Sequence, residues 1–180
     1  MAQINAAWEK FRIPNADTSS WKTIKKYLEN IDNRFSSKAV YVIRTTKPLA
    51  VAYPKKASPV LYMGEGSFDD RFKRHVRNWI APLASSLPNL SIEVYITEIR
   101  VRNNVEAHRH VEADLLQRFA SKYGAVPLMN QQFEYHDHNH RYSKGFFRPL
   151  YPDSGSGYKW AISPLISNLA YPASLKGLAI

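Results

Sequence analysis

The sequence predicts an α+β fold: a small antiparallel three-stranded sheet flanked by helices, with a helical extension before it and a loop-rich extension after it. Three observations carry this. Residues 39–44, 60–63 and 92–101 are apolar, strand-like runs, the last alternating through Ile92, Val94 and Ile96 and then, after a slip, Ile99 and Val101. Phe68, Phe72, Val76 and Trp79, and later Val111, Leu115 and Phe119, recur at helical spacing. The resulting order is strand, strand, helix, strand, helix. The 180 residues, 44% of them hydrophobic, suffice for one core. They divide into 1–37, 38–131 and 132–180, with the last part belonging to the same compact unit.

Each element has its own signal. Trp8, Phe11 and Ile13 suggest a short helical piece ending at Pro14. Residues 17–20 offer several N-caps. Trp21, Ile24, Leu28, Ile31 and Phe35 then form the apolar stripe of an amphipathic helix, with Lys22, Lys25, Lys26 and Glu29 opposite. Three prolines between 45 and 59 make that stretch a long connection rather than a tight turn. Pro82 predicts the end of the next helix near Ile80. Pro88 and Asn89 mark a turn. Asn103 and Glu106 have capping-box spacing, and Gly124 closes the helix they open. Ser163 and Pro164 suggest one short last helix.

The stretch 61–75 reads as a strand, a Gly-rich turn and the start of a helix. Arg71 and His75 are four apart and share a face, which Asn78 continues. With Tyr62 on the preceding strand, a cation, an imidazole and a phenol converge at a corner suited to a phosphate. A Rossmann loop is excluded, because Asp69 stands where its third glycine is needed. No Walker motif, Gly-x-Ser-x-Gly or His-Glu-x-x-His occurs. No Asp or Glu is followed two residues later by Lys, so a PD-(D/E)xK nuclease is excluded too.

Tyr41 in its strand, Tyr62-Met63-Gly64, Arg71-x-x-x-His75, Glu112 ahead of Leu115-Leu116, and Asn130 after Pro127 come in this order. Together they resemble the GIY-YIG nuclease family over roughly residues 38–131. The chain departs from that family in three ways. Ala39-Val40-Tyr41 replaces Gly-Ile-Tyr, Met63 replaces isoleucine, and the connection between the two tyrosines is unusually long. The resemblance implies phosphodiester hydrolysis by a metal-dependent endonuclease of restriction or mobile-element type. It implies Tyr41 as general base or water positioner with Tyr62 beside it, Arg71 on the scissile phosphate, and His75 one turn on. It further implies Glu112 as the ligand of Mg2+ (or Mn2+) and Asn130 as a site-organising hydrogen bonder. A non-catalytic nucleic-acid-binding protein on the same fold and an RNA-cleaving toxin are the alternatives.

Composition agrees with a polyanionic partner. The net charge is +10, and Arg71, Lys73, Arg74, His75 and Arg77 cluster within seven residues. DNA, most naturally double-stranded, is the expected partner, and a homodimer is compatible. Lys73, Arg74 and Arg77 are candidates for flanking phosphates. So are Lys55 and Lys56 in the long connection, and Arg141, Lys144 and Arg148 in the C-terminal extension, where they interleave with aromatics. Cysteine is absent, which excludes disulfides and Cys-based zinc sites. No signal-peptide pattern opens the chain. Pro164, Pro172 and Lys176 interrupt the apolar C-terminus, so no membrane span is expected there, and a cytoplasmic location is. His108 shares a helical face with Glu112 and is expected to be solvated, while His110 points away. His136, His138 and His140 have the spacing of one extended face, but neither a cysteine nor a fourth ligand accompanies them in sequence.

Overall fold

The structure is a computed structural model that describes residues 2–18, 20–87, 90–131, 135–152 and 158–162. In chain order its elements are β1 (Ala2–Ile4), β2 (Glu9–Ile13), α1 (Trp21–Lys25), β3 (Ala39–Thr45), β4 (Leu49–Ala52), β5 (Ala57–Ser58), β6 (Val60–Gly66), α2 (Phe68–His75), α3 (Ala81–Ser86), β7 (Ile92–Glu98), α4 (Ala107–Tyr123), β8 (His140–Tyr142) and β9 (Trp160–Ile162). The class is α+β, with strands in several sheets.

The main sheet has four antiparallel strands in the order β2-β7-β3-β6, where three were expected. The fourth is β2, for which sequence spacing suggests a helix. Phe11 and Ile13 are buried while Lys10 and Arg12 between and before them are not, which is strand alternation. The Trp8–Phe11 interval of three only imitates a helical turn. The long helix expected over residues 21–35 is likewise broken, into α1 and 3-10 turns at Lys26–Leu28 and Asp32–Phe35.

Every residue of β3 is buried, because both faces of the sheet are covered. On one face Phe68 of α2 packs edge-on against Tyr41 at 5.1 Å. Phe11 meets Phe68 and Phe72 in the same way, so β2 extends the surface on which α2 sits. Arg44, of opposite parity to Tyr41, is also buried. It donates to the Pro149 and Tyr151 carbonyls at 3.3 and 3.0 Å and pairs with Glu93 at 3.6 Å. That arginine fastens the C-terminal segment to the sheet.

The connection over residues 45–59 is more than a loop. It carries β4 and β5, which join β9 in a second small sheet. β1 pairs in parallel with β8. The helix after β6 does not end at Ile80. It widens into a π turn at Val76–Ile80 and continues as α3, with Pro82 in the first turn of α3, where proline is tolerated. At the start of α4, Glu106 is the N-cap residue, and the Asn104 carboxamide, not Asn103, accepts the Glu106 N–H. Gly124 ends α4 with φ 87°, and a Cβ there would stand 2.9 Å from Pro54 Cβ. The turn expected at 88–89 and the helix expected from Ser163 lie outside the described residues. Among the described residues, no helix is long and apolar enough to cross a membrane.

Candidate active site

The site forms where β6 turns into α2. Gly66, with φ 93°, makes the corner, and Ser67 precedes the first turn of α2. In the β3–β6 ladder Tyr41 lies directly opposite Gly64. A Cβ on Gly64 would stand 2.6 Å from Tyr62 Cε1 and 2.7 Å from the Tyr41 hydroxyl. Glycine is therefore needed two residues after Tyr62, because the two phenol rings occupy the space of its missing side chain. Their centroids lie 5.9 Å apart.

A chain of polar groups runs from α2 into this pair. The Trp79 indole N–H donates to His75 Nδ1 at 3.1 Å, and His75 Nε2 lies 3.1 Å from the Tyr41 hydroxyl. An indole can only donate, so Nδ1 carries no proton. Neutral His75 then holds its proton on Nε2 and donates it to the Tyr41 oxygen. Burial, aided by the Arg71 and Arg74 cations, lowers the His75 pKa to about 4, so the imidazole is neutral at physiological pH. The two phenol rings lie against each other, and the Arg71 cation acts on both. Burial raises both phenol pKa values, Tyr41's strongly. For Tyr62, Glu112 adds to the rise and Arg71 opposes it.

Two carboxylates face this corner. Glu112, from the first half of α4, is buried and stands where the sequence places it. Glu65, between the two glycines of β6, is not among the residues the sequence singles out. It accepts from Arg71 Nη2 at 3.2 Å and lies 3.2 Å from His108 Nε2. His108 is thus buried against a carboxylate rather than solvated. The available signal for Glu65 is a charged residue inside an otherwise apolar strand, since such a group is buried only when paired.

Asn130 reaches the site from the loop after α4. Its Oδ1 accepts the Met63 N–H at 2.9 Å and its Nδ2 donates to the Met63 carbonyl at 2.8 Å. β6 is an edge of the sheet, so this side chain supplies the hydrogen bonds a neighbouring strand would give. Tyr62, Arg71, His75, Glu112 and Asn130, together with Glu65, line one cleft of about 630 Å3. Tyr41 does not line it. That phenol is fully buried beneath His75 and Tyr62, which corrects its expected position as the water-facing group. Among the described residues, no three His, Asp or Glu side chains are disposed to hold an ion together. A metal at Glu112 would therefore take most of its ligands from water or substrate.

The basic candidates divide. Lys73, Arg74 and Arg77 are exposed and line a neighbouring groove of about 420 Å3 with Trp21. Lys55 instead donates from Nζ to the Ser121 carbonyl at 2.8 Å, and its main-chain N–H bonds the Tyr123 carbonyl, so it caps the end of α4. Lys56 lies 6.0 Å from the Tyr123 ring centroid. Both lysines sit by the last turn of α4, about 13 Å along the helix from Glu112. Arg141, Lys144 and Arg148 are exposed. The aromatics between them are largely not: Phe146 is buried against Trp8 at 5.3 Å, and Tyr142 donates to Asp114. Stacking of Phe146 on bases is thereby ruled out, while Tyr142 is half-buried and Tyr135 is exposed. The chain matches no family model, no curated protein and no solved structure.

Proposed function

We propose that this chain is a metal-dependent endonuclease of GIY-YIG type that hydrolyses phosphodiester bonds of double-stranded DNA, of restriction or mobile-element kind. The observation that carries the reading is the convergence of Tyr62, Arg71, His75, Glu112 and Asn130 on one cleft, from a strand, two helices and a loop. Each residue type has a task there. Arg71 holds a non-bridging oxygen of the scissile phosphate with its planar fork, and Glu65 fixes the angle of that fork. Tyr62 faces the cleft and packs against Tyr41. Its phenol, which burial keeps protonated, orients the attacking water, and the water's proton passes to solvent in the cleft, which also protonates the leaving oxygen, as the new P–O bond forms and the bond to the leaving oxygen breaks. Tyr41 and His75 hold Tyr62 in place from below, and Asn130 fixes the edge strand that carries it.

The donor set fits a hard cation. Glu112, which lines the cleft, is the carboxylate assigned to Mg2+ or Mn2+, while Glu65 is held by Arg71 and His108. When bound, such an ion supplies positive charge to the phosphate during the reaction. Lys73, Arg74 and Arg77, exposed beside the cleft, hold flanking phosphates. The test is incubation of supercoiled plasmid and of single-stranded DNA with Mg2+ or with EDTA. Nicked or linear plasmid with Mg2+ and intact plasmid with EDTA are expected. A protein that binds the plasmid yet leaves it intact with Mg2+ and Mn2+ would make the cleft a binding site only.

A further inference from the structure

His110 and Glu112 are two residues apart, so they project about 200° apart around α4. Glu112 faces the cleft. His110 faces a group that sequence spacing does not reveal. Its ring centroid lies 4.7 Å from that of His136, 4.2 Å from His138 and 5.7 Å from His140. The remaining separations are 5.8 to 6.3 Å. The fourth imidazole that residues 136–140 lack in sequence is supplied by α4.

We propose that His110, His136, His138 and His140 form a site for one tetrahedral transition-metal ion of the zinc type, which pins residues 136–142 to α4. Imidazoles on a single tetrahedral ion, with metal–nitrogen bonds of about 2 Å, have ring centres about 5 Å apart. The six separations here span 4.2 to 6.3 Å on either side of that value. Both ring nitrogens of His140 are shielded from solvent and have no hydrogen-bond partner. Asp114, one turn after His110, lies 3.1 Å from His136 Nε2 and also accepts from Tyr142. A carboxylate holding the far nitrogen of a ligating histidine is the usual support of a metal site, and it leaves Nδ1 for the ion. His136 Nδ1 now accepts the His138 main-chain N–H at 3.0 Å, a contact the ion would replace. As they stand no three of these side chains are placed to hold an ion, so binding must turn the rings, those of His110 and His140 out of their stacked arrangement. His138, which is exposed, turns without disturbing the core.

The chemistry selects the ion. Four imidazoles and no thiolate suit Zn2+, Co2+, Ni2+ or Cu2+ and not the hard cations assigned to the cleft. The fold gives the ion a task. Among the described residues β8, three residues long, pairs only with the equally short β1, a ladder too small to hold by itself.

The test uses the full chain without an oligohistidine tag, stripped with chelator and titrated with Co2+. We expect intense visible d–d bands of tetrahedral cobalt that saturate at one equivalent and are displaced by Zn2+. Zn2+ should also slow amide exchange over residues 136–142. His138→Ala, at an exposed position, should weaken Co2+ binding about tenfold or more, while Glu112→Gln leaves the bands unchanged. Non-saturating binding, octahedral spectra, or bands that survive His138→Ala combined with His136→Ala would overturn the site. A loss of bands in Glu112→Gln would assign the ion to the cleft instead.

Discussion

The sheet carries two arginine–glutamate pairs of the same chemistry and opposite setting. Arg44 and Glu93 lie on its sealed face. The Arg44 side chain is 1% exposed, and its guanidinium is directed at Glu93 and two backbone carbonyls. Arg71 and Glu65 lie at the β6–α2 corner, where the Arg71 side chain is 37% exposed and opens onto the cleft. Setting decides what each cation does. Sealed, it satisfies carbonyls that would otherwise be stranded, and its effect is on stability. Open, it is held at one angle by its glutamate and keeps donors directed at whatever enters. Removing either arginine should separate the two roles.

The largest effect is expected on the sealed side. Arg44→Ala removes one partner of Glu93, which keeps Lys10, and takes their donor from the Pro149 and Tyr151 carbonyls. Such a loss costs about 3–5 kcal/mol, read as a shifted denaturant midpoint, with cleavage by the remaining folded protein unchanged. Arg71→Ala should do the reverse. Its single-turnover cleavage rate should fall about 10²-fold, the effect of removing one key charge stabiliser, with the midpoint nearly kept. Lys73→Ala, on the exposed face of the same helix, should instead weaken DNA binding and flatten its salt dependence. If Arg71→Ala and Lys73→Ala behaved alike in rate and salt slope, the open pair would have no special role.

Gly64→Ala probes the space the corner needs. Its Cβ would meet Tyr62 and the Tyr41 hydroxyl inside van der Waals contact, so about 1–3 kcal/mol of stability should be lost. Cleavage should fall with it, because Tyr62 is displaced. A stable, active Gly64→Ala protein would show that the two phenols need not lie where they do.

A smaller effect concerns His75. Its pKa is about 4 in the folded chain against about 6.5 when unfolded. Between those values the unfolded state binds more protons, so stability falls as pH falls through that window. His75→Gln should flatten the decline, measured as melting temperature against pH. It should not abolish it, because the His110 and His140 pKa values are lowered too. An unaltered slope would mean His75 is protonated in the fold.

What is legible in the sequence depends on contact distance along the chain. Tyr62, Arg71 and His75 are separated by local geometry alone, a strand, a glycine corner and one helical turn, so their spacing suffices to group them. Glu112 and Asn130 enter only through the resemblance, because nothing local says that α4 and its following loop return to β6. Glu65 and Trp79 escape a sequence reading as site residues. Glu65 is hidden between two glycines. Trp79 falls on the apolar stripe of its helix and reads as core, although its indole N–H sets the His75 tautomer. The N-terminal strand reads as helix because Trp8 and Phe11 imitate a helical turn, and only pairing with β7 fixes the period as two. Arg44 carries no local signal at all: its partners at 149 and 151 lie more than a hundred residues away.

That the cleft cuts DNA with a metal held at Glu112 can be tested with one substitution, Glu112→Gln. The change keeps shape and removes the charge. DNA affinity, measured without cleavage in the presence of Ca2+, should stay within about threefold of the parent, an energy difference under about 1 kcal/mol. Cleavage with Mg2+ or Mn2+ should disappear. A Glu112→Gln protein that cuts plasmid at the parent rate with Mg2+ would contradict the assignment outright.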